Sequence, residues 1–491
     1  MPISFPSTPS NIRIPFFAVE FDGTRAASGP ALLEYRALIV GQKTASGSAS
    51  ANSLHKVTRE SQVVTLAGRG SMLHRQYKAW SVANKQTEVW IGVLEDNGAG
   101  VAASGKIVFA GTATAAGTVS FYVGGEVVQV GVAVGDTAAD VAAALADELP
   151  SSSDFIVTAA VDGSVDEEVD ITCRHKGTVG NGIDLRLNYQ DGEELPDGIT
   201  ATITAMASGA TNPVLTSLVA ALGDSWFNII TMPYTDATSL TAMENELSSR
   251  WGPMRMIDGH CFTAADDTHA NLTTLGDSRN SKHVTIVACD SSPTLPAEYA
   301  ANVAAVVAIE GAKDPARPHQ TLPLVWVKAP AEADQFTQEE RNLLLYSGIA
   351  SCKPSAGGVV RIERLITTYK TGDSGADDTT YLDSTTLLTL MYLRYSFRTQ
   401  MLNRYPRHKL AADGTRFGAG QAIITPKVGK AEACAWFRQM ENLGLVENFD
   451  QFKTDLVVER DVSNPNRLNF LMSPDLINSF IVGAANIQFI L

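Results

Sequence analysis

The stretch YRALIVG (residues 35–41) is a short apolar run of the kind that forms a buried strand. Downstream, Leu73, Tyr77 and Trp80 recur at helical spacing, and VWIGVL (residues 89–94) is strand-like again. Strand, helix, strand makes a β-α-β unit, which lays its helix over a largely parallel sheet, so an α/β core is expected. The alternation resumes after Asn212 with helix-like residues 214–222, strand-like 227–232, helix-like 239–250 and strand-like 284–288. Thr337 and Glu340 form a capping box ahead of Leu343, Leu344 and Leu345. Leu387, Leu388, Met391, Tyr392 and Tyr395 make an apolar stripe at helical spacing.

Between about Gly98 and Ser208 the texture changes. Gly, Thr, Ala and Val dominate, and the short runs 106–109, 119–123 and 127–132 are broken by glycines, with a helix expected over 138–149 between Asp136 and Pro150. This reads as a β-rich module inserted in the α/β core. The two ends of the chain differ from both regions. Pro2, Pro6, Pro9 and Pro15 forbid helix near the N-terminus, yet Ile3, Phe5, Ile12, Ile14 and Phe16 give residues 1–21 an apolar face, predicting an extended arm that docks. At the other end Ala485, Ile487, Phe489 and Leu491 alternate with Asn486 and Gln488, predicting a terminal strand that needs a sheet edge. The expected division is an arm (1–21), core (22–97), insert (98–210), core (211–476) and a C-terminal strand arm (477–491).

At 491 residues the chain is long enough for two or three domains. Fifty-three acidic against thirty-eight basic side chains, a formal charge of −15, argue against a nucleic-acid partner. The five cysteines, Cys173, Cys261, Cys289, Cys352 and Cys434, lack CxxC spacing and read as reduced cytosolic thiols. MPISFPSTPSNI lacks the basic start and apolar stretch of a secretory signal, and no apolar run approaches the roughly 18 residues of a membrane span.

Motifs that could carry chemistry dissolve on inspection. GDSG at residues 372–375 copies a serine-protease tetrad, but Asp377 and Asp378 would put negative charge beside a developing oxyanion, so a hydrolase using Ser374 stands only as a rival reading. A surface adhesin with a binding insert is the other rival. Asp258, His260, Asp266, Asp267 and His269 fit no tight metal-ligand pattern, and Asp266 with Asp267 reads as a helix start. Gly177, Gly180 and Gly182 form a turn ahead of a strand, and Gly68-Arg69-Gly70 is at most a weak anion site. No cofactor is expected. The one basic stretch, Arg394, Arg398, Arg404 and Arg407 with His408 and Lys409, suits contact with an acidic face of a neighbouring copy.

Blocks along the chain resemble the Mu-like tail sheath proteins. They include ISFPSTPSNIRIPFFAVEF (3–21), AASGP (26–30), LAGRGSM (66–72), TEVW (87–90), GTATAAGT (111–118), MPYTDA (232–237) and RWGPM (250–254). DPARPHQTL (314–322), ERNLLLYSGIA (340–350), GGVVRIERLITTY (357–369), YLDSTT (381–386) and NPNRLNFL (464–471) continue the series. The resemblance implies an α/β tail sheath domain with a peripheral region, and hexameric rings stacked helically around a tail tube. It also implies contraction without nucleotide hydrolysis and terminal strands exchanged between neighbours. The implied partners are further copies of the chain, the tail tube protein, and baseplate and tail terminator proteins. The implied location is the virion tail, assembled in the bacterial cytoplasm.

Overall fold

A computed structural model describes residues 33–151 and 154–490. The arm residues Ile3, Phe5, Ile12, Ile14 and Phe16, and Leu491, lie outside them. The described chain forms two compact units, one of residues 34–391 with 478–490 and the other of residues 392–477.

The first unit opens with strand β1 (Arg36–Gln42), where Ala37, Leu38, Ile39 and Val40 are fully buried. Burial on both faces is what a strand at the centre of a parallel sheet requires. Edge strand β2 (Ser53–Val57) and helices α1 (Glu60–Ala67) and α2 (Met72–Ala83) lead to β3 (Glu88–Leu94). Strands β1 and β3 pair in parallel from Arg36↔Glu88 to Gln42↔Leu94, which is the expected β-α-β unit. The join between α1 and α2 needs glycine at Gly68: φ is +88°, and a Cβ there would meet Thr44 Oγ1 at 2.0 Å. Ser71 then caps α2, its hydroxyl accepting from the His74 N–H.

Among the described residues, none of 102–207 joins a strand of that sheet. They supply β4 (Ala102–Gly111), β5 (Gly117–Val123), β6 (Glu126–Val132), α3 (Ala138–Ser151), β7 (Val157–Val161), β8 (Glu168–Lys176), β9 (Leu185–Leu187) and β10 (Ile199–Ala207). These strands form two sheets of their own, ordered β10-β4-β8-β7 and β6-β5-β9. Inward residues alternate with outward ones along β6 and β8, so Val128, Val130, Val169 and Ile171 are buried with Leu145 and Leu149 of α3. Met72 at the start of α2, and Leu295 and Ala297, belong to the same apolar cluster, so this region packs its core against helical residues of the α/β region. The two ends of the excursion are tied together by Asn97 Nδ2, which donates to the Asn212 carbonyl at 3.2 Å, and by a bridge between Val101 and Ala210.

Two local expectations are corrected here. The start of α3 is a reciprocal pair of Thr137 and Asp140, whereas Asp136 accepts from the Ala133 N–H; the end of α3 at Ser151 agrees with the expected stop at Pro150 within ordinary end fraying. The turn at Gly177 closes into a 3-10 helix, Thr178–Gly182, because the Asn212 side chain accepts from the Thr178 N–H at 2.8 Å.

The chain then returns to the sheet through α4 (Thr216–Leu222), β11 (Ile229–Thr231), α5 (Ala237–Trp251), β12 (His260–Ala265), α6 (His269–Asp277), β13 (Val284–Ala288) and α7 (Pro296–Lys313). Helix α8 (Gln338–Tyr346) carries the predicted capping box, and β14 (Ile349–Pro354) and β15 (Val360–Arg364) complete an eight-stranded sheet ordered β15-β14-β13-β12-β11-β1-β3-β2. Its six central strands are parallel, and the edges β2 and β15 are antiparallel. Helix α7 is alanine-rich and mostly buried, and it packs on α2. Between these two helices Glu298 takes the Arg75 guanidinium in a bidentate pair at 2.7 and 3.1 Å, and Trp326 Nε1 donates to the same carboxylate.

Helix α9 (Ser384–Arg404) buries Leu387, Leu388 and Met391 in the first unit and then enters the second. There β16 (Lys409–Leu410) and β17 (Ile423–Ile424) precede α10 (Pro426–Asn442), β18 (Val446–Glu447) and α11 (Phe449–Asp455). The hairpin β19 (Val457–Arg460) and β20 (Leu468–Leu471) packs on α10, where Gly429 leaves room for Leu468, Phe470 and Val458, and β21 (Asp475–Leu476) ends the regular structure.

Candidate assembly surfaces

The C-terminal segment departs from the sequence expectation. Residues 477–490, including Ala485, Ile487 and Phe489, form no strand, and Ile487 is 86% and Phe489 80% exposed. A strand needs an edge to bond to, and in the single chain this segment pairs with no strand of the described residues. Two large apolar side chains at alternating positions in water form an adhesive surface: burying each is worth roughly 1.5 to 3 kcal/mol. The sheets of the described residues end in the edge strands β2, β15, β10, β7, β6 and β9, and the β19–β20 hairpin is a two-stranded sheet on which Val457 and Leu471 are exposed.

The basic stretch lies in the second unit. Arg404 is taken by Glu432 of α10 at 2.6 Å and Lys409 reaches Gln421 at 3.1 Å, whereas Arg398 and Arg407 are exposed. Arg394 is half-buried. Residues 392–477 carry twelve basic and nine acidic side chains, a net of +3, so the −15 of the whole chain leaves −18 for the rest. This partition between the two units was not visible until the fold divided the chain within a continuous helix.

The chemical motifs are spent on structure. Ser374 sits exposed in a hairpin closed by the Gly372 N–H to the Ala376 carbonyl, and no described hydrogen bond joins it to a histidine. The residues considered as metal ligands serve different neighbours. His260 Nε2 meets Thr285 Oγ1, Asp266 accepts from the Ser291 N–H, and His269 Nε2 meets the Glu340 carbonyl. Asp267 accepts from the Asn271 side chain, and the cap of α6 is Thr268 rather than either aspartate. Arg69 of the glycine-flanked turn pairs with Asp154 at 2.8 Å. Sequence reasoning missed the buried Arg75 and Glu298 pair, since nothing in the periodicity of either helix marks a charge that will be enclosed. Among the described residues no helix is long and apolar enough to cross a membrane.

The model of the phage tail sheath protein central domain matches residues 208–368, and that of the phage tail sheath C-terminal domain matches residues 376–490. The Mu-like prophage FluMu tail sheath protein of Haemophilus influenzae is 43% identical over 491 residues, covering all of both chains. Among solved structures, a sheath tail protein from Listeria innocua is 14% identical over 93% of this chain and 95% of its own, with a TM-score of 0.49. The helical sheath of the anti-feeding prophage in the contracted state is 10% identical over 98% of this chain and 99% of its own, with a TM-score of 0.47. With full-length identity at that level and both sheath domains matched in order, the chain belongs to the family of Mu-like phage tail sheath proteins, which are structural proteins and not enzymes.

Proposed function

We propose that this chain is the structural subunit of a contractile tail sheath. It polymerises as stacked hexameric rings around a tail tube and contracts by rigid-body rearrangement to drive the tube through the host envelope. The observation that carries this reading is the exposed apolar C-terminal segment, whose cost in water is removed when Ile487 and Phe489 enter a neighbour's sheet. A head-to-tail contact of this kind does not close on itself and so builds rings or helices. The N-terminal residues Ile3, Phe5, Ile12, Ile14 and Phe16 supply the second arm, and Leu491 extends the first.

In this reading residues 98–210 form the inserted peripheral domain, entered and left at the tied pair Asn97 and Asn212. Arg394, Arg398, Arg404, Arg407 and Lys409 face acidic surface on an adjoining copy, a match favoured by the +3 and −18 partition. The tail tube, baseplate and tail terminator proteins are the other partners, and assembly takes place in the host cytoplasm. Negative-stain microscopy of the purified full-length chain tests the proposal. Rings or rods with six-fold symmetry are expected, and a chain that stays monomeric at high concentration and alongside tail tubes would overturn it.

A further inference from the structure

Residues 478–490 do not behave as one piece. Ser479 and Ile481 are half-buried, Phe480 between them is exposed, and every residue from Val482 to Ile490 is exposed. Alternation over 479–481 is that of extended chain with one face against a support. The support is the surface around a narrow cleft, one wall of which Ser479 and Ile481 form opposite Pro318, His319, Glu363, Leu365, Asp383 and Thr385. Gln320 Nε2 donates to the Phe480 carbonyl at 3.3 Å, and no hydrogen bond among the described residues involves 481–490.

The cleft walls are themselves fixed. The 319–324 segment is laced to β15 by the Thr321 N–H to the Ile362 carbonyl at 2.8 Å, the Ile362 N–H to the Leu322 carbonyl at 3.0 Å and the Leu324 N–H to the Val360 carbonyl at 2.9 Å. Arg364 holds Asp383, just before α9, through two bonds of 3.0 and 3.1 Å. Backbone pairing and a bidentate ion pair leave this floor little freedom. Residues 478–490 also cluster with the α/β unit and not with residues 392–477 that precede them in the chain.

We propose that the C-terminal segment is a moored arm: residues 479–481 are fixed as one wall of this cleft on the α/β unit, held by Gln320 at the Phe480 carbonyl, and only the ten residues 482–491 reach out to a second copy. This rests on reading the segment as an assembly arm. Ten extended residues span about 33 Å, so the sheet edge they join lies within that distance of Ile481. The mooring thereby selects which neighbour the arm can engage, because an edge beyond that radius is out of reach whatever its sequence. It also reduces the entropy lost when the tip is captured, since the root is already ordered.

Chymotrypsin digestion of the full-length, unassembled chain, followed by mass spectrometry, tests the mooring without reference to assembly. Cleavage needs several residues of freely bending chain, so cutting after Phe489 is expected to be at least tenfold faster than cutting after Phe480, although both rings are exposed. Ile481→Asp and, separately, Gln320→Ala are expected to raise cleavage after Phe480 with unchanged circular dichroism. Equal rates at the two sites in the unaltered chain, or no acceleration in either variant, would overturn the mooring while leaving the assembly reading untouched. Conversely, a moored arm on a chain that never polymerises would count against assembly alone.

Discussion

Arg75 illustrates what single residues contribute. Its guanidinium is enclosed between α2 and α7, paired with Glu298 and Glu126, with the Trp326 ring 6.0 Å away. Removing one member of a buried pair strands the other charge, so Arg75→Met is expected to lose about 3 to 5 kcal/mol in urea unfolding, and adding Glu298→Gln should recover part of it. A loss within 1 kcal/mol would show that water reaches the pair. Burial acts in the opposite sense on two histidines. Desolvation, reinforced by neighbouring histidines, lowers His260 to about 3, and desolvation lowers His319 to about 4. Both folded values lie below the unfolded value near 6.5, so the unfolded chain takes up these protons first as pH falls. Stability is therefore full above pH 6.5 and declines toward pH 4, by about 2 to 3 kcal/mol per ring at pH 4.5. Asp290, pushed up to about 6 by burial, returns part of this because its folded form takes up a proton first. The urea midpoint is expected to fall between pH 7 and 4.5 and to fall less in His319→Gln, and a midpoint that is flat in both proteins would contradict this account. None of these groups was legible as buried in the sequence, because enclosure of a charge or an imidazole is decided by elements far away in the chain.

At the scale of elements, the sequence was most readable where a local pattern coincides with a packing requirement. YRALIVG and VWIGVL read as strands because a central parallel strand is apolar on both faces, and 284–288 coincide with β13. The box at Thr337 was readable because it is a contact between near neighbours. Strand β12, HCFTAA, was not readable: its histidine and its one threonine are buried in a strand covered by α7 and flanked by β11 and β13, so tertiary context overrides a weak local preference. The short β2 and α1 were missed for the same reason. The C-terminal arm shows the converse case, a pattern of alternation that the single chain does not use. Its length is testable. Deleting residues 482–485 leaves six residues past the mooring, about 20 Å of reach, and is expected to abolish polymer growth, whereas inserting four Gly/Ser residues after Val482 should preserve it. Light scattering distinguishes the two, and growth by the shortened arm would show that reach is not limiting.

For the whole molecule, the division into two units within α9 escaped the sequence because a continuous helical stripe carries no boundary signal. Once made, it separates a unit of +3 from the −18 of the remainder, a pairing of opposite signs that favours contact between copies. Contacts between exposed charges are screened within about 8 to 10 Å at physiological salt, so polymer growth is expected to slow several-fold between 0.05 and 0.5 M NaCl, and Arg398→Glu with Arg407→Glu to slow it further. Growth indifferent to salt would assign the drive to apolar contacts alone. The terminal arm is the more direct claim. Ordering ten residues costs about 1 to 2 kcal/mol each, more than burial of Ile487 and Phe489 returns, so strand hydrogen bonds and contacts to several neighbours must act together. The decisive measurement is sedimentation velocity with circular dichroism on a chain lacking residues 478–491, beside the intact chain. A folded, slowly sedimenting species that never forms large particles, while the intact chain does, is the predicted result. Long tubes formed by the truncated chain would contradict the account.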